Sequence, residues 1–212
     1  MNILVATGNA GKMKEFREVL DNFSRVLSMK EAGIKSDPEE TGSTFRENAL
    51  IKAGAVREIL TGPEFDWKKA DLDPDDTIVI ADDSGLIIDA MPDELGVKSA
   101  RFMGHDTSYD IKNKEILRRM ADVEDEKRTA RFVCAIALIF PDGSEYTEEG
   151  VMEGRIAHVI SGNGGFGYDP IFFLPDLGCT SADLTADEKN AISHRGKALR
   201  AAAALIERKI NG

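Results

Sequence analysis

Two adjacent carboxylates, Asp82 and Asp83, follow a short apolar run and precede Ser84 and a glycine. Neighbouring carboxylates repel each other, so both stay ionised only if a cation or hydrogen-bond donors compensate them. Such groups bind divalent cations and accept protons from attacking water. The alternative is an acidic turn in which Asp82 caps the next segment. Residues 77–85 are therefore a candidate site for this chemistry.

The residues before this pair predict a buried strand, because a short apolar run bounded by turn residues is typical of one. Asp82, Asp83 and Ser84 would lie at its carboxyl end, where open α/β sheets place their ligand crevices. Side chains alternate along a strand, but at a fraying end both carboxylates could reach one crevice. Residues 86–90 would then form a separate, paired strand.

A glycine-containing loop near the N terminus is a second candidate. Residues 3–6 predict a strand, and Met13, Phe16 and Leu20 predict the apolar face of a helix behind the loop. In this arrangement backbone N–H groups and the helix dipole face an anion, and a lysine adds charge. The alternative is a tight turn, and the glycine spacing does not fit a Walker A loop. The loop consists of Thr7, Gly8, Asn9, Ala10, Gly11 and Lys12.

A third candidate is the glycine-rich segment 162–167, which formally matches GxGxxG. The proline-containing aromatic run after it does not open a helix, so the context is wrong for a dinucleotide fold. We interpret it as a close-approach loop that presents Phe166, Tyr168 and Asp169. Phe166 would be exposed enough to stack on a planar ligand, and a buried aromatic residue is the alternative.

Basic residues near the C terminus form a fourth, weaker candidate. Lys189, His194 and Arg195 lie close together in sequence without an evident packing role. A basic helix start without function would explain them equally well.

The remaining patterns predict the rest of the fold. Strands are expected over 25–29, 131–140 and 144–151, the last two joined by a hairpin turn and extended by 153–160. Helices are expected after capping boxes at Thr44 and Thr185, and over 111–120 and 197–209. On the helix after Thr44, Glu47, Asn48 and Lys52 are interpreted as a solvated face. Residues 61–76 are interpreted as a surface excursion.

Length and composition narrow the class of protein. The 212 residues, 42% hydrophobic and 31% charged, fit one globular domain spanning 1–212. A net charge of −11 argues against nucleic acid as a partner, because duplex binding depends on neutralising phosphates. The longest apolar run is too short to cross a membrane, and no signal-peptide core is apparent. Only Cys134 and Cys179 occur, far apart, which favours a reduced cytoplasm.

The order of the motifs is more specific than any of them alone. TGNAGK at 7–12, ADDSG at 81–85, SARF at 99–102, GGFGYDP at 164–170 and SHRGK at 193–197 occur together. In this order they closely resemble the inosine triphosphate pyrophosphatase family, over nearly the whole chain. Two features depart from the family pattern: the loop 92–98 before SARF, and the longer stretch 61–76.

The resemblance implies a two-lobed α/β fold around a long mixed β-sheet with helices on its faces. It also implies an active-site cleft between the lobes and a homodimer. The implied reaction is Mg²⁺-dependent hydrolysis of the purine nucleotides ITP, XTP and dITP to the monophosphate and pyrophosphate. The alternatives are a related-fold pyrophosphatase acting on pyrimidine nucleotides and a non-catalytic nucleotide-binding sensor.

The resemblance also implies roles for individual residues. Asp83 would bind the metal and accept the proton, with Glu39 as the second metal carboxylate in preference to Glu40. Ser84 would contact the substrate, and residues 7–12 would hold the triphosphate. The residues that would surround the base and sugar are Phe166, Gly167, Tyr168, Asp169, Lys189, His194 and Arg195.

Overall fold

The computed structural model describes residues 1–20 and 25–211, and these divide into two compact units. The first unit comprises Met1–Asp83, Cys134–Gly150 and Arg195–Gly212, and the second comprises Ser84–Val133 and Val151–His194. Neither unit is a continuous segment, because the chain passes from one to the other within three of its strands and again between His194 and Arg195.

Seven strands form one mixed sheet in the described part of the chain, in the order β2-β1-β3-β4-β5-β6-β7. Strand β1 runs parallel to both β2 and β3, whereas β6 runs antiparallel to β5 and β7. The α/β fold with a mixed sheet is therefore confirmed. The strands are β1 (Asn2–Val5), β2 (Arg25–Ser28), β3 (Thr77–Ile88), β4 (Thr129–Ile139), β5 (Glu145–Ile156), β6 (Phe172–Leu174) and β7 (Cys179–Thr180).

The helices begin close to the predicted positions. Both predicted capping boxes are present, since Thr44 caps α2 and Thr185 caps α5. The C-terminal helix begins at His194, earlier than predicted, and residues 61–76 contain a short helix. The helices are α1 (Ala10–Leu20), α2 (Phe45–Thr61), α3 (Trp67–Ala70), α4 (Tyr109–Arg119), α5 (Ala186–Ile192) and α6 (His194–Asn211). None of these described helices has the length and apolarity needed to cross a membrane.

The prediction for the acidic stretch is wrong in one respect. Strand β3 does not end at the carboxylates but continues through them to Ile88, so the separate strand expected at 86–90 does not exist. Asp82 and Asp83 lie in its middle, both buried. The strand can continue through them because basic side chains from distant elements contact both carboxylates. Since side chains alternate along a strand, the two carboxylates point to opposite faces of the sheet.

Each unit has its own apolar core. In the first unit, Ile78 and Ile80 of β3 pack with Phe16 of α1 and Leu199 of α6. Asp82 shares their face of β3 by alternation, which directs its carboxylate toward α1 and α6. In the second unit, the core includes Leu86, Phe132, Met152, Tyr168 and Phe172. Strand β5 ends at Ile156, short of the predicted extension to residue 160.

Candidate active site

The N-terminal loop leads from β1 into the first turn of α1. The side chain of Asn9 accepts a hydrogen bond from the Lys12 backbone N–H at 3.1 Å, and the Thr7 hydroxyl accepts one from the Asn9 N–H at 3.2 Å. Gly8, Asn9, Ala10 and Gly11 are exposed. No protein atom lies within 4 Å of the position that a Cβ of Gly8 would take. Two local hydrogen bonds thus stabilise the turn, and its backbone remains accessible to a ligand, as an anion site at a helix N terminus requires.

Asp82 is held between two cations on the α1 and α6 face of β3. Its Oδ2 lies 3.0 Å from Nζ of Lys12 and 3.2 Å from Nε of Arg195. Arg195 also donates to Glu15 of α1. Burial alone would raise the pKa of Asp82, but the charges of Lys12 and Arg195 lower it far below its ordinary value. This carboxylate therefore remains ionised at any physiological pH.

Asp83 has different partners on the opposite face of β3. Its Oδ1 lies 2.9 Å from Nζ of Lys52, and its Oδ2 accepts a hydrogen bond of 3.3 Å from Asn48. The Lys52 ammonium also lies 3.1 Å from Glu40. Burial raises the pKa of Asp83, and the opposing charge of Lys52 offsets that rise only in part. A carboxylate with a raised pKa is suited to accept a proton near neutral pH.

Asn48 fixes the loop that carries Glu40. Its Oδ1 accepts a hydrogen bond of 2.8 Å from the Gly42 N–H, which leaves the amide NH₂ to face Asp83. A Cβ on Gly42 would lie 2.6 Å from Oδ1 of Asn48, so this close approach requires glycine. Asn48 therefore holds both the loop and the candidate proton acceptor.

The interpretation of Asn48 and Lys52 as a solvated face is wrong. Asn48 is fully buried, and the side chain of Lys52 is 16% exposed. The two residues are four apart and border the apolar face that Ala49 and Ala53 form on α2. This helical spacing could have predicted their burial, because a polar pair at the edge of an apolar face is directed partly inward. Glu47 is exposed, as predicted, and completes the cap of α2.

The second unit holds the glycine-rich loop around one ion pair. Oδ2 of Asp169 lies 2.6 Å from Nζ of Lys189 and accepts a hydrogen bond of 2.8 Å from the Phe166 N–H. Its Oδ1 accepts a bond of 3.0 Å from Ser181. A Cβ on Gly165, which has φ +68°, would lie 2.2 Å from Asp169. The loop is therefore folded around the Asp169 carboxylate, which requires glycine at 165.

Phe166 is the exposed aromatic residue that the sequence predicts, with 40% of its surface accessible. The Lys189 ammonium lies 4.7 Å from the centre of its ring. Tyr168, in contrast, is buried and donates a hydrogen bond of 2.6 Å to the Ser99 carbonyl. Of the aromatic residues in this loop, only Phe166 is placed to stack on a ligand.

The structure distributes the predicted residues between the units. The first unit contains Asp83, Glu39, Arg195 and residues 7–12. The second unit contains Ser84 and all the predicted base and sugar contacts except Arg195. Buried His194 stacks on Phe132 with ring centroids 4.8 Å apart. Glu39 is exposed, and Glu40 is the neighbour that contacts Lys52. The roles assigned to these residues, including Glu39 at a metal and Arg195 at the base, all remain predictions.

The fold and these contacts define a class: an α/β protein whose buried carboxylates and basic side chains could act on phosphate groups. The Ham1 family profile matches residues 3–205. The dITP/XTP pyrophosphatase of Clostridium perfringens is 42% identical to this chain over 198 residues, covering 92% of each sequence. That of Bacillus subtilis is 43% identical over 205 residues, covering 96% of each.

The solved structure of the Staphylococcus aureus Ham1 protein superposes with a TM-score of 0.82 at 35% identity. The superposition covers 99% of this chain and 100% of the Staphylococcus aureus chain. The chain belongs to the Ham1 family, and the resemblance seen in the motifs is confirmed.

Proposed function

We propose that this chain hydrolyses the non-canonical purine nucleotides dITP, XTP and ITP to the monophosphate and pyrophosphate. The observation that carries the proposal is Asp83, a buried carboxylate with a raised pKa beside Asp82, which stays ionised. The substrate class rests on the names of the relatives, which are dITP/XTP pyrophosphatases.

Asp83 accepts the proton in the proposed reaction. Water gives a proton to its carboxylate and forms a new P–O bond, while the bridging P–O bond between the α and β phosphates breaks and pyrophosphate leaves. Asn48 and Lys52 orient Asp83. Phosphoryl transfer depends mainly on positioning and electrostatic stabilisation, and such hydrogen bonds from two sides provide the positioning.

The N-terminal loop and Lys12 bind the triphosphate. The exposed backbone N–H groups at the start of α1 would face the phosphates, and the Lys12 side chain, whose ammonium contacts Asp82, is 19% exposed. Asp82 and Glu15 together balance the buried charge of Arg195. This pairing leaves Lys12 able to contact a phosphate without a surplus of positive charge in the core.

The carboxylates of Asp83 and Glu40 fit a Mg²⁺ ion. They already converge on one cation, the Lys52 ammonium, at 2.9 and 3.1 Å. Within the described residues no cluster of three or more metal-ligating side chains occurs. Mg²⁺ is suited to one or two carboxylates supplemented by phosphate oxygens and water. Asp83 with Glu40, or with Glu39 as the family resemblance suggests, would hold the ion, which would neutralise phosphate charge.

Base selection is assigned to the second unit. Hypoxanthine and xanthine carry an oxygen acceptor at position 6, whereas adenine carries an amino donor. The Lys189 ammonium only donates hydrogen bonds, so an adenine amino group facing it would be unpaired. Phe166 can stack on any base and adds affinity without selectivity. In this proposal Lys189 provides selectivity for the base and Phe166 provides affinity.

Three further properties belong to the proposal. A single domain over residues 1–212 is supported by the interleaving of the two units along the chain. A homodimer rests on the family resemblance. A cytoplasmic location is supported by the two cysteines, which are both free.

A panel of nucleoside triphosphates tests the function. The purified chain is incubated with dITP, XTP, ITP, GTP, ATP, CTP and UTP, with Mg²⁺ or with EDTA, and the products are separated by anion exchange. We expect pyrophosphate and monophosphate from the first three nucleotides, with Mg²⁺ only. Diphosphate and orthophosphate would contradict the proposed cleavage. A preference for CTP or UTP would favour the pyrimidine enzyme, and binding without turnover would favour the sensor.

A further inference from the structure

The loop that exposes Phe166 is fastened on both sides. Before Phe166, the Gly164 N–H donates to the Ala182 carbonyl at 2.9 Å. After it, the hydroxyl of Tyr168 donates to the Ser99 carbonyl at 2.6 Å. Between these bonds Gly167 has φ +69°, in the left-handed region, and reverses the chain so that Phe166 is exposed while Tyr168 is buried. The backbone at Gly167 therefore sets the direction of the Phe166 ring.

The side chain of Asn113 on α4 forms a hydrogen bond with this reversal. Its Nδ2 donates a hydrogen bond of 3.1 Å to the Gly167 carbonyl, and the residue is 3% exposed. Its Oδ1 is buried and accepts no hydrogen bond within the described residues. A buried acceptor without a partner lowers the stability of the fold. An apolar residue would avoid this cost, so packing alone does not account for an asparagine at this position.

The neighbouring Lys112, on the same turn of α4, holds the SARF segment at residues 99–102. Its ammonium donates a hydrogen bond of 2.6 Å to the Ala100 carbonyl, next to the Ser99 carbonyl that Tyr168 contacts. Lys112 is 1% exposed, and burial lowers its pKa. This turn of α4 therefore fixes the backbone of two loops through two polar side chains, although sequence reasoning assigned it no role in the site.

We propose that Asn113 is a positioning residue for base recognition, which holds the Gly167 carbonyl so that Phe166 stays exposed beside Lys189. This inference rests on the proposed function, because it takes the exposed Phe166 ring to be the surface on which the base stacks. Asn113 itself does not contact the substrate. Its loss should weaken the binding of the base and leave the triphosphate contacts of the first unit unchanged.

Two variants test the proposal. Asn113→Asp replaces the donor with an acceptor opposite a carbonyl, and Asn113→Ala removes the side chain while favouring the helix. We expect KM for dITP to rise about tenfold, which corresponds to one hydrogen bond of about 1.4 kcal/mol. We expect kcat to change by less than about twofold, since the variant does not touch the groups that act on the phosphates. Lys114→Ala, at an exposed position of α4, is the matched control.

A base-free competitor separates positioning from general damage. The inhibition constant of inorganic tripolyphosphate should be the same in the parent and in both variants. An unchanged KM for dITP would overturn the proposal. An equal weakening of dITP and tripolyphosphate, or an Asn113→Ala chain that does not fold, would show a purely structural role and also overturn it.

Failure of the proposed function would look different. In that case the parent itself would not hydrolyse dITP, and the comparison would be made on the dissociation constants of dITP and tripolyphosphate measured by calorimetry. A selective loss of dITP binding in the Asn113 variants would still support the inference. Equal binding of dITP by parent and variants, or no binding by the parent, would overturn it.

Discussion

The two faces of β3 shift the pKa of an aspartate in opposite directions. Asp82 lies between Lys12 and Arg195, and these charges lower its pKa, whereas Asp83 contacts the ammonium of Lys52 and burial raises its pKa. The difference is one of compensation, because both residues are buried and adjacent. We infer that Asp82 balances the buried cations around it, whereas Asp83 is the proposed proton acceptor. Four substitutions test this comparison, from the largest expected effect to the smallest.

Asp83→Asn removes the proposed proton acceptor and keeps its size. We expect kcat for dITP to fall by roughly 10²–10⁴, the usual contribution of a general base. The melting temperature should change little or rise, because ionising a buried carboxylate with a raised pKa costs stability at neutral pH. Steady-state kinetics and calorimetry measure both, with Asp89→Asn at an exposed position as the control. Near-normal turnover would show that Asp83 is not the acceptor.

Asp82→Asn should instead act on stability. Removing one partner of a buried ion pair typically costs about 3–5 kcal/mol, and Glu15 retains part of the compensation of Arg195, so we expect about 3 kcal/mol. Urea denaturation at pH 7 measures the loss. Asp110→Asn, which breaks the exposed pair with Lys114, should cost no more than about 1 kcal/mol.

The stability of Asp82→Asn should also depend on pH differently from that of the parent. A carboxyl with a lowered folded-state pKa stabilises the protein above its unfolded-state pKa, and this contribution is lost as pH falls toward the folded-state value. The parent should therefore lose stability below about pH 4 more steeply than Asp82→Asn does. Parallel curves for the two proteins would mean that Asp82 is not the stabilising charge.

Lys12→Ala should weaken binding of the triphosphate. Hydrogen bonds to charged groups contribute about 1.5–3 kcal/mol, so KM for dITP should rise about 10- to 100-fold. A point charge beside a phosphate acts in the ground state and the transition state alike, which leaves kcat largely unchanged. A large loss of kcat at constant KM would instead place Lys12 with Asp83 in the chemical step.

Lys52→Met should shift the pH profile. The Lys52 ammonium lowers the pKa of Asp83, so its removal should raise that pKa and move the acid limb of kcat upward by about one pH unit. Arg46→Met, which removes an exposed cation on the same helix, should leave the limb in place. An unmoved limb in Lys52→Met would assign the titration to another group.

Much of the local structure could be predicted from the sequence. The first strand with its loop and helix, the capping boxes at Thr44 and Thr185, and the hairpin between β4 and β5 all depend on neighbouring residues. The charged partners could not be predicted, because they are far apart in the chain. Arg195 lies 113 residues from Asp82, and Lys52 lies 31 residues from Asp83. Without these partners, two buried carboxylates in mid-strand look like a turn.

The interval between Asp82 and Arg195 also matters during synthesis. The ribosome makes β3 well before α6, since a chain grows at about 5–20 residues per second and folds as segments emerge. Until α6 has emerged, Asp82 can be buried with Lys12 but without Arg195. An incompletely compensated charge in a core costs several kcal/mol. We therefore expect this part of β3 to stay in contact with water in the nascent chain. The core of the first unit would then pack only after α6 has been synthesised.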